Sequence, residues 1–306
     1  MAKILNFGSV NIDNVFRVND FVRPGETIVA QSVEYLPGGK GLNQSVALAQ
    51  AGAEVYHAGK IGPDGEWLLD LMKRAGVHTE FVRKNGSTTG KAMIQVNHAG
   101  QNCIIVHHGA NGEISKQDID STLQHFGKND AVLLQNEINN ILYLIDKTFY
   151  LGMKIIWNPS PFVPDMKHYP MEKISCFLLN EIEGYGLTGE QEPEKMAQAL
   201  LQRNPAAQVV LTLGKGGVLY RDAQHSFRHG IYRVPVVDTT GAGDTFTGFF
   251  IAGVLGGEPV EEALRLASVA SSLEVSRKGA ACAIPTMREV KNAKLVLQEN
   301  SNEKLI

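Results

Sequence analysis

The sequence predicts an α/β fold in which a mainly parallel sheet is covered by helices on both faces. Three observations carry that expectation. Short β-rich apolar runs alternate with longer segments of helical period, the alternation continues along nearly the whole chain, and 43% hydrophobic residues in a chain of 306 supply a substantial core. The runs that read as buried strands are "KILNFGSV" (3–10), "VYHAGKIG" (55–62), "AVLLQNE" (131–137), "KIIWNPS" (154–160), "CFLLNE" (176–181) and "QVVLTLG" (208–214). Helices fit between them at Leu42–Ala51, Gly65–Ala75, Asn139–Leu151, Pro193–Arg203, Thr245–Leu255 and Val260–Val275, several ending at a glycine as helix C-termini often do. Residues 12–36 and 90–108 break the rhythm. They alternate apolar and polar residues around "RPGE" and "NHAGQN", which reads as hairpins of a small antiparallel sheet or as edge strands of the main one.

Composition removes several function classes. A net charge of −3 with interspersed signs offers no basic stripe for a phosphate backbone, so nucleic acid is not an expected partner. Cys103, Cys176 and Cys282 lie far apart and suggest neither a zinc cluster nor a disulfide framework, which fits a reducing cytoplasm. The N-terminal run has no cleavage-type ending and no apolar stretch reaches membrane-spanning length, so no membrane association is expected. "QENSNEKLI" at the C-terminus is polar and reads as a frayed tail.

The chemistry concentrates in "VDTTGAGDTF" (237–246). "IYRVPVV" before it reads as a strand, and Phe246, Phe249, Phe250, Val254 and Leu255 after it recur at helical spacing, so the motif reads as a strand-to-helix turn. Glycines at 241 and 243 let backbone N–H groups converge at the helix N-terminus, where unpaired donors and the helix dipole favour an anion. The motif lacks the Lys-Ser/Thr of a P-loop and the third glycine of a dinucleotide fingerprint. Asp244 stands in the first turn beside this phosphate seat. It could simply offset the dipole, but a general base for an attacking hydroxyl needs that same place.

"PGGKGLNQSVALAQAG" (37–52) is a second glycine turn before a helix. Its glycines permit close backbone approach to a ligand, Asn43 offers an amide donor and acceptor to a polyol, and Lys40 could meet a phosphate or remain solvated. Ligands of open α/β sheets bind outside the carboxyl ends of the strands, where Asn11, Asp13, Asn43 and Glu137 would gather. A carboxylate with amides suits the hydroxyls of a sugar.

With both clusters present, the chain resembles the ribokinase branch of the PfkB sugar kinases over almost its whole length. "GGKGLNQ" (38–44) resembles the first signature of that family and "DTTGAGDTF" (238–246) the second, while "NID", "HHGAN" (107–111), "LLNEIE" (178–183), "TLGKGG" (212–217) and "SRKGAACAIP" (276–285) follow in the family order. The resemblance implies a three-layer α/β/α domain over residues 1–300, with a β-sheet lid formed by about 12–36 and 90–108 and a polar tail at 301–306. It implies ATP-dependent phosphorylation of a sugar hydroxyl with Mg²⁺, and a homodimer formed through the lid. Asp244 matches the catalytic base, Gly241, Ala242 and Gly243 the anion hole, and Asn11, Asp13, Gly39, Asn43 and Glu137 the sugar contacts, with Lys40 beside them. Asn180 and Glu183 match a motif that organises magnesium-bound water and phosphate; Glu183 could otherwise be a solvated helix charge. Thr212, Gly214 and Gly217 match the nucleotide side. Ser268 stands near adenine where the family often has Asn or His. Asp238, Thr240, Glu274, Arg277, Gly279 and Ala283 match a potassium loop, with two departures: Ala283 lacks a hydroxyl, and Glu274 replaces a small residue.

Ribose is the first substrate expectation, with other sugars, sugar acids or nucleosides open, and a non-catalytic sugar-binding protein on the same fold is the alternative of another class. Adjacent His107 and His108 point to opposite faces of a strand and cannot chelate together, so they read as lid residues. His57 reads as a hydrogen-bonded core residue. Met93, Ile105 and Lys91 fall on the expected lid, and a Lys91 facing the pocket would admit an acidic sugar.

Overall fold

Side chains of a strand point alternately to the two faces of its sheet, and in this computed structural model, which describes residues 2–298, that alternation sorts the core into two halves. The strands are β1 (Ile4–Phe7), β2 (Asn11–Arg17), β3 (Ser32–Gly38), β4 (Val55–Lys60), β5 (His78–Arg83), β6 (Gly90–Val96), β7 (Asn102–His107), β8 (Ala131–Leu134), β9 (Lys154–Trp157), β10 (Cys176–Asn180), β11 (Gln208–Thr212), β12 (Val218–Arg221) and β13 (Ser226–His229). The helices are α1 (Lys40–Gln50), α2 (Glu66–Arg74), α3 (Lys116–Leu123), α4 (Ile141–Tyr150), α5 (Glu181–Thr188), α6 (Pro193–Arg203), α7 (Ala242–Leu255), α8 (Val260–Val275) and α9 (Met287–Asn292).

Nine strands form one sheet in the order β13-β12-β11-β10-β9-β8-β1-β4-β5, parallel except for β12 and β13 at one edge. Ala131 and Leu133 of β8 and Cys176 and Leu178 of β10 face α1, α2, α7 and α8; Val132, Leu134, Phe177 and Leu179 face α3 to α6. Strands buried on both faces must be apolar at every position, which is why their runs are continuous rather than alternating. This is the three-layer α/β/α architecture that the sequence leads one to expect.

The strands are shorter than their apolar runs. Past Gly8, Leu134 and Asn158 the chain leaves the ladder, and Val10 N–H donates to Asn111 Oδ1 and Asn136 N–H to Ser160 O instead. Each departure opens the sheet at its carboxyl end. "IYRVPVV" (231–237) is not a strand. Pro235 has no N–H to give a ladder, Val236 and Val237 are exposed, and the segment instead bonds the C-terminal stretch through Tyr232–Leu297 and Arg233–Val296. The 238–246 motif is therefore a loop-to-helix turn rather than the strand-to-helix turn read from sequence. Helix α7 also begins three residues earlier than its apolar period, at Ala242. Helix α5 is invisible to that period because Gly184 and Gly186 are weak helix formers; a Cβ at either would strike Met196 Sδ or the Phe162 ring at 2.7 Å. The polar stretch 299–306 lies outside the described residues.

Strands β3-β2-β6-β7 form a second, separate sheet that is mixed rather than antiparallel as read from sequence: each hairpin is antiparallel within itself, but the two join through β2 and β6, which run parallel at the centre. The chain passes from β1 into β2 and from β3 into α1, so both sheets meet at the first glycine cluster.

Helices α1 and α7, each led by a glycine turn, lie side by side. A Cβ on Gly248 would stand 2.4 Å from Ala47 Cβ and 2.8 Å from the Ala47 carbonyl carbon. Gly248→Ala should therefore destabilise the chain by about 1–3 kcal/mol, as overpacking does, despite the better helix propensity of alanine. Urea denaturation measures it, and adding Ala47→Gly should restore part of the loss; an unchanged or raised midpoint for the single variant would contradict the close packing.

Candidate active site

Both glycine turns deliver a helix N-terminus to the crevice at the carboxyl ends of the strands. Gly39 before α1 has φ 90° and Gly241 before α7 has φ 94°, a left-handed region that side chains with a Cβ rarely enter. At α1 the protein itself takes the first-turn donors, Lys40 N–H going to Glu137 Oε2, Gly41 N–H to Ser9 Oγ and Leu42 N–H to Ser9 O. At α7 no side chain caps the helix, and first-turn N–H groups are left for another acceptor, as an anion seat requires.

Asp244, one turn into α7, is buried between these two turns. Its Oδ2 accepts from Asn43 Nδ2 and its Oδ1 from Gln44 Nε2, both at 2.9 Å. Gln44 is itself held: it donates to Asn158 Oδ1 at 2.9 Å and accepts from Gln135 Nε2 at 2.6 Å, and Gln135 donates to Asn6 Oδ1 at 2.9 Å. The carboxylate is oriented by a chain of buried amides running back through three strands of the sheet. Asn43 Oδ1 is buried without a hydrogen-bond partner, an acceptor left over beside the carboxylate.

A second group surrounds Asp13. Burial pushes its carboxyl up to about 7, helped by the charges of Glu137 and Asp244. Glu137 Oε2 accepts from Ser9 Oγ and from Lys40 N–H at 2.9 Å, which pins the first glycine turn to the end of β8. Asn11 Oδ1 accepts from Asn111 Nδ2 at 2.7 Å. Asn11, Asp13, Gly39, Asn43 and Glu137 are thus joined around the first glycine turn.

On the other side of Asp244 lie two adjoining cavities. The smaller, about 250 Å³, is lined by Lys40, Asn180, Glu183, Gly241, Gly243 and Asp244 among others. The larger, about 780 Å³, is mostly apolar and is lined in part by Thr212, Gly214, Gly217, Ala242, Gly243 and Ser268. Asn180, Thr212, Thr239 and Gly243 border both. Lys40, grouped with the sugar contacts from sequence, points its side chain into the smaller cavity. Burial opposes its charge, but the carboxylates of Asp244, Glu137 and Glu183 hold its pKa above the ordinary lysine value. Glu183 is buried rather than a solvated helix charge. It forms a reciprocal cap with Asn180: Glu183 N–H donates to Asn180 Oδ1 at 3.0 Å and Asn180 N–H to Glu183 Oε2 at 2.9 Å.

Residues 1–287 match the family model described as pfkB family carbohydrate kinase. The chain belongs to the pfkB family of carbohydrate kinases. The ribokinase of Bacillus subtilis is 34% identical over 294 residues, covering 95% of this chain and 98% of that protein. The ribokinase of Haemophilus influenzae is 31% identical over 299 residues, covering 94% and 97%. Among solved structures, Arabidopsis thaliana ribokinase complexed with ribose and ATP aligns with a TM-score of 0.82 at 31% identity, over 95% of this chain and 98% of that one. A carbohydrate kinase is a phosphotransferase with an alcohol acceptor, and the crevice between the two glycine turns is where this one offers an anion seat, a carboxylate and a polar pocket together.

The remaining positions of this carbohydrate kinase separate into those the fold gathers and those it does not. Asp238 Oδ1 accepts from Thr240 N–H at 3.0 Å and Oδ2 from Gly279 N–H at 3.1 Å, while Arg277 N–H donates to Glu274 O at 2.9 Å and its guanidinium to Ala283 O at 3.4 Å. These six positions form one loop cluster behind the anion seat. Burial pushes the Glu274 carboxyl up to about 9, with the charges of Asp238 and Asp244 adding to it. Lys91 does not face the pocket as an acidic-sugar contact should; its Nζ pairs with Asp64 at 3.2 Å. His57 is fully buried with Nδ1 2.8 Å from Ser45 Oγ, and its loss of hydration pushes its pKa down to about 3. Met93 and Ile105 are exposed on the second sheet, opposite one another in register.

Sequence reasoning missed Gln44, Gln135, Asn158 and Asn6, the amides that hold Asp244. Their signal was present: each is a polar residue inside or at the end of a run otherwise apolar enough for a strand or buried helix.

The raised Asp13 pKa has a stability consequence with a definite sign. Between the ordinary carboxylate value of 3.8 and about 7 the unfolded chain is ionised at this position while the folded one keeps its proton, so folding loses stability as pH rises through that window. Asp13→Asn should therefore raise stability at pH 8 on the order of 1–3 kcal/mol and change it little near pH 4. Melting curves at the two pH values decide it, and a shift of equal size at both would contradict the assigned environment.

Proposed function

We propose that this chain is an ATP-dependent ribose kinase in which Asp244 is the general base. The observation that carries the mechanism is the burial of the Asp244 carboxylate between a polyol-type pocket and an uncapped helix N-terminus. The similar proteins named ribokinase support the substrate.

Asp13, through its carboxylate, and Asn11 and Asn43, through their amides, bind hydroxyls of the sugar over the backbone of Gly39, with Glu137 fixing that turn. The larger cavity takes adenosine along Thr212, Gly214, Gly217 and Ser268, and the smaller takes the phosphates beside Lys40. In the transfer, Asp244 accepts the proton of the attacking hydroxyl, the hydroxyl oxygen bonds to the terminal phosphorus, and the bond from that phosphorus to the bridging oxygen breaks to release ADP. Backbone N–H groups at Gly241, Ala242 and Gly243 stabilise the charge that develops on the transferred group. Asn43 and Gln44 hold the carboxylate in line for the hydroxyl, which substitutes a fixed geometry for a search.

Magnesium suits Glu183 and Asn180, a buried carboxylate and an amide lining the phosphate cavity; they would hold it through water, and it would offset phosphate charge. Potassium is a poorer match. Ala283 contributes no side-chain oxygen and Glu274 adds a second carboxylate beside Asp238, so the donor set is not one of mainly neutral oxygens. We read the chain as one catalytic unit in which the second sheet closes over the sugar as a lid. That sheet exposes Tyr35, Met93, Ile104, Ile105 and Val106, and such an apolar surface supports a homodimer paired through it. No helix of the described residues is long and apolar enough to cross a membrane, which is compatible with a cytoplasmic enzyme.

Asp244→Asn keeps the shape of the side chain and removes the base, so kcat for ATP-dependent phosphorylation of ribose should fall by roughly two to four orders of magnitude with the melting temperature little changed. A panel of ribose, deoxyribose, fructose, sugar acids and nucleosides measures it. Turnover confined to another member would keep the mechanism and remove ribose, and sugar binding without turnover by the native protein would remove the kinase reading.

A further inference from the structure

The amides behind Asp244 can face in only one direction, and that direction is set away from the crevice. Asn6 Nδ2 donates to Gly41 O at 2.7 Å and to Ser45 Oγ at 2.8 Å. A peptide carbonyl only accepts, so the Asn6 amide cannot turn over, and its Oδ1 is left facing Gln135. The other end is fixed in the same way. Asn158 Nδ2 donates to Leu178 O at 2.9 Å, which leaves Asn158 Oδ1 to accept from Gln44, and an ionised Asp244 carboxylate also only accepts. Gln44 must therefore turn its nitrogen to Asp244 and Asn158, and its oxygen to Gln135.

Gln135 thus stands between two oxygens, Asn6 Oδ1 at 2.9 Å and Gln44 Oε1 at 2.6 Å, and gives its Nε2 to both. Its own oxygen is left over. Gln135 Oε1 is buried with no hydrogen-bond partner among the described residues, pressed against the backbone of Gly8, where a Cβ would overlap it. A buried acceptor without a donor opposes stability, and departures of that kind are expected where function requires them. Asn6 and Gln44 are 0% exposed and Gln135 1%, and none of the three lines either cavity, so a ligand in the crevice does not meet them. The chain begins at a carbonyl of the first glycine turn and ends on the carboxylate beside the second.

We propose that Asn6 and Gln135 are positioning residues for phosphoryl transfer: they set which end of the Gln44 amide meets Asp244, and through it the direction in which the carboxylate offers its remaining lone pairs to the acceptor hydroxyl. The inference rests on the reading of Asp244 as the base. If Gln135 could not donate, Gln44 Oε1 would face no donor and its amide would be free to turn over. Its oxygen would then meet Asp244 Oδ1, and two acceptors repel. The carboxylate would keep only its bond from Asn43 and swing about it. Sugar and nucleotide contacts would stay in place, so the loss belongs to the reacting geometry and appears in kcat rather than in KM.

The test compares kcat and KM for ribose and for ATP in Gln135→Met, Ser45→Ala, Asp244→Asn and the double variant combining Gln135→Met with Asp244→Asn, with melting temperature followed in parallel. Gln135→Met should lower kcat roughly ten- to a hundredfold, with both KM values changed by less than about twofold. Ser45→Ala removes one partner of Asn6 but leaves its bond to Gly41 O, and should keep kcat near the native value. On the Asp244→Asn background Gln135→Met should lower kcat no further, since its effect passes through the carboxylate. Should Gln135→Met fail to fold, Gln135→Asn, which keeps an amide but is one methylene too short to reach both oxygens, should show the same split between kcat and KM. Native kcat in a folded Gln135 variant, a fall of the same size in Ser45→Ala, or an equal fall on both backgrounds would overturn the proposal while leaving Asp244 as the base. Native kcat in Asp244→Asn would remove the base, and this proposal with it.

Discussion

Two amide hydrogen bonds on the Asp244 carboxylate join the halves of this molecule. Asn43 and Gln44 belong to the helix behind the first glycine turn, and Asp244 to the helix behind the second. Their side chains can meet only because α1 and α7 approach until Gly248 lies on the backbone of Ala47. Close packing of two helices therefore sets the distance between the two glycine turns, with the Asp244 carboxylate held between them. The amide chain behind Gln44 extends this constraint to Asn6 of β1 and to Gln135 and Asn158 just past the ends of β8 and β9, so the sheet fixes the Asp244 carboxylate as well as the crevice.

The same convergence concentrates negative charge. Asp244, Glu137 and Glu183 act on Lys40, Asp13 lies beside Glu137 and Asp244, and Glu274 beside Asp238 and Asp244; two of these carboxyls rise in pKa, Asp13 to about 7 and Glu274 to about 9. Each carboxylate is handled differently. Glu137 and Glu183 are tied to backbone N–H groups of glycine turn and helix cap, Asp244 to two amides, and Asp13 is left beside its neighbours. Glu274 is buried with neither amide nor backbone donor. Carboxylates with raised pKa values gathered in one cleft are a common mark of functional sites.

Much of this was legible in the sequence because apolar runs and glycine turns report local requirements. Continuous runs such as "AVLLQNE" disclosed strands buried on both faces, and the two glycine motifs disclosed the helix N-termini. What escaped depended on partners distant in the chain. Proline and exposure at 231–237 removed a strand that its valines suggested, because the segment pairs with residues 296 and 297 instead. Helix α5 was hidden by glycines that only Met196 and Phe162 explain. Gln44 sat beside the conspicuous Asn43, yet nothing local said that its amide reaches a residue 200 positions away.

The most direct measurement is the position of Asp244 relative to the acceptor hydroxyl in a crystal of the protein with ribose and a non-hydrolysable ATP analogue. The account predicts a carboxylate oxygen within about 2.6–3.2 Å of that hydroxyl, with Asn43 or Gln44 still bonded to the other oxygen and the terminal phosphate on the N–H groups of Gly241–Gly243. A hydroxyl held elsewhere, with another side chain in reach of its proton or the phosphate seated away from the second glycine turn, would contradict it.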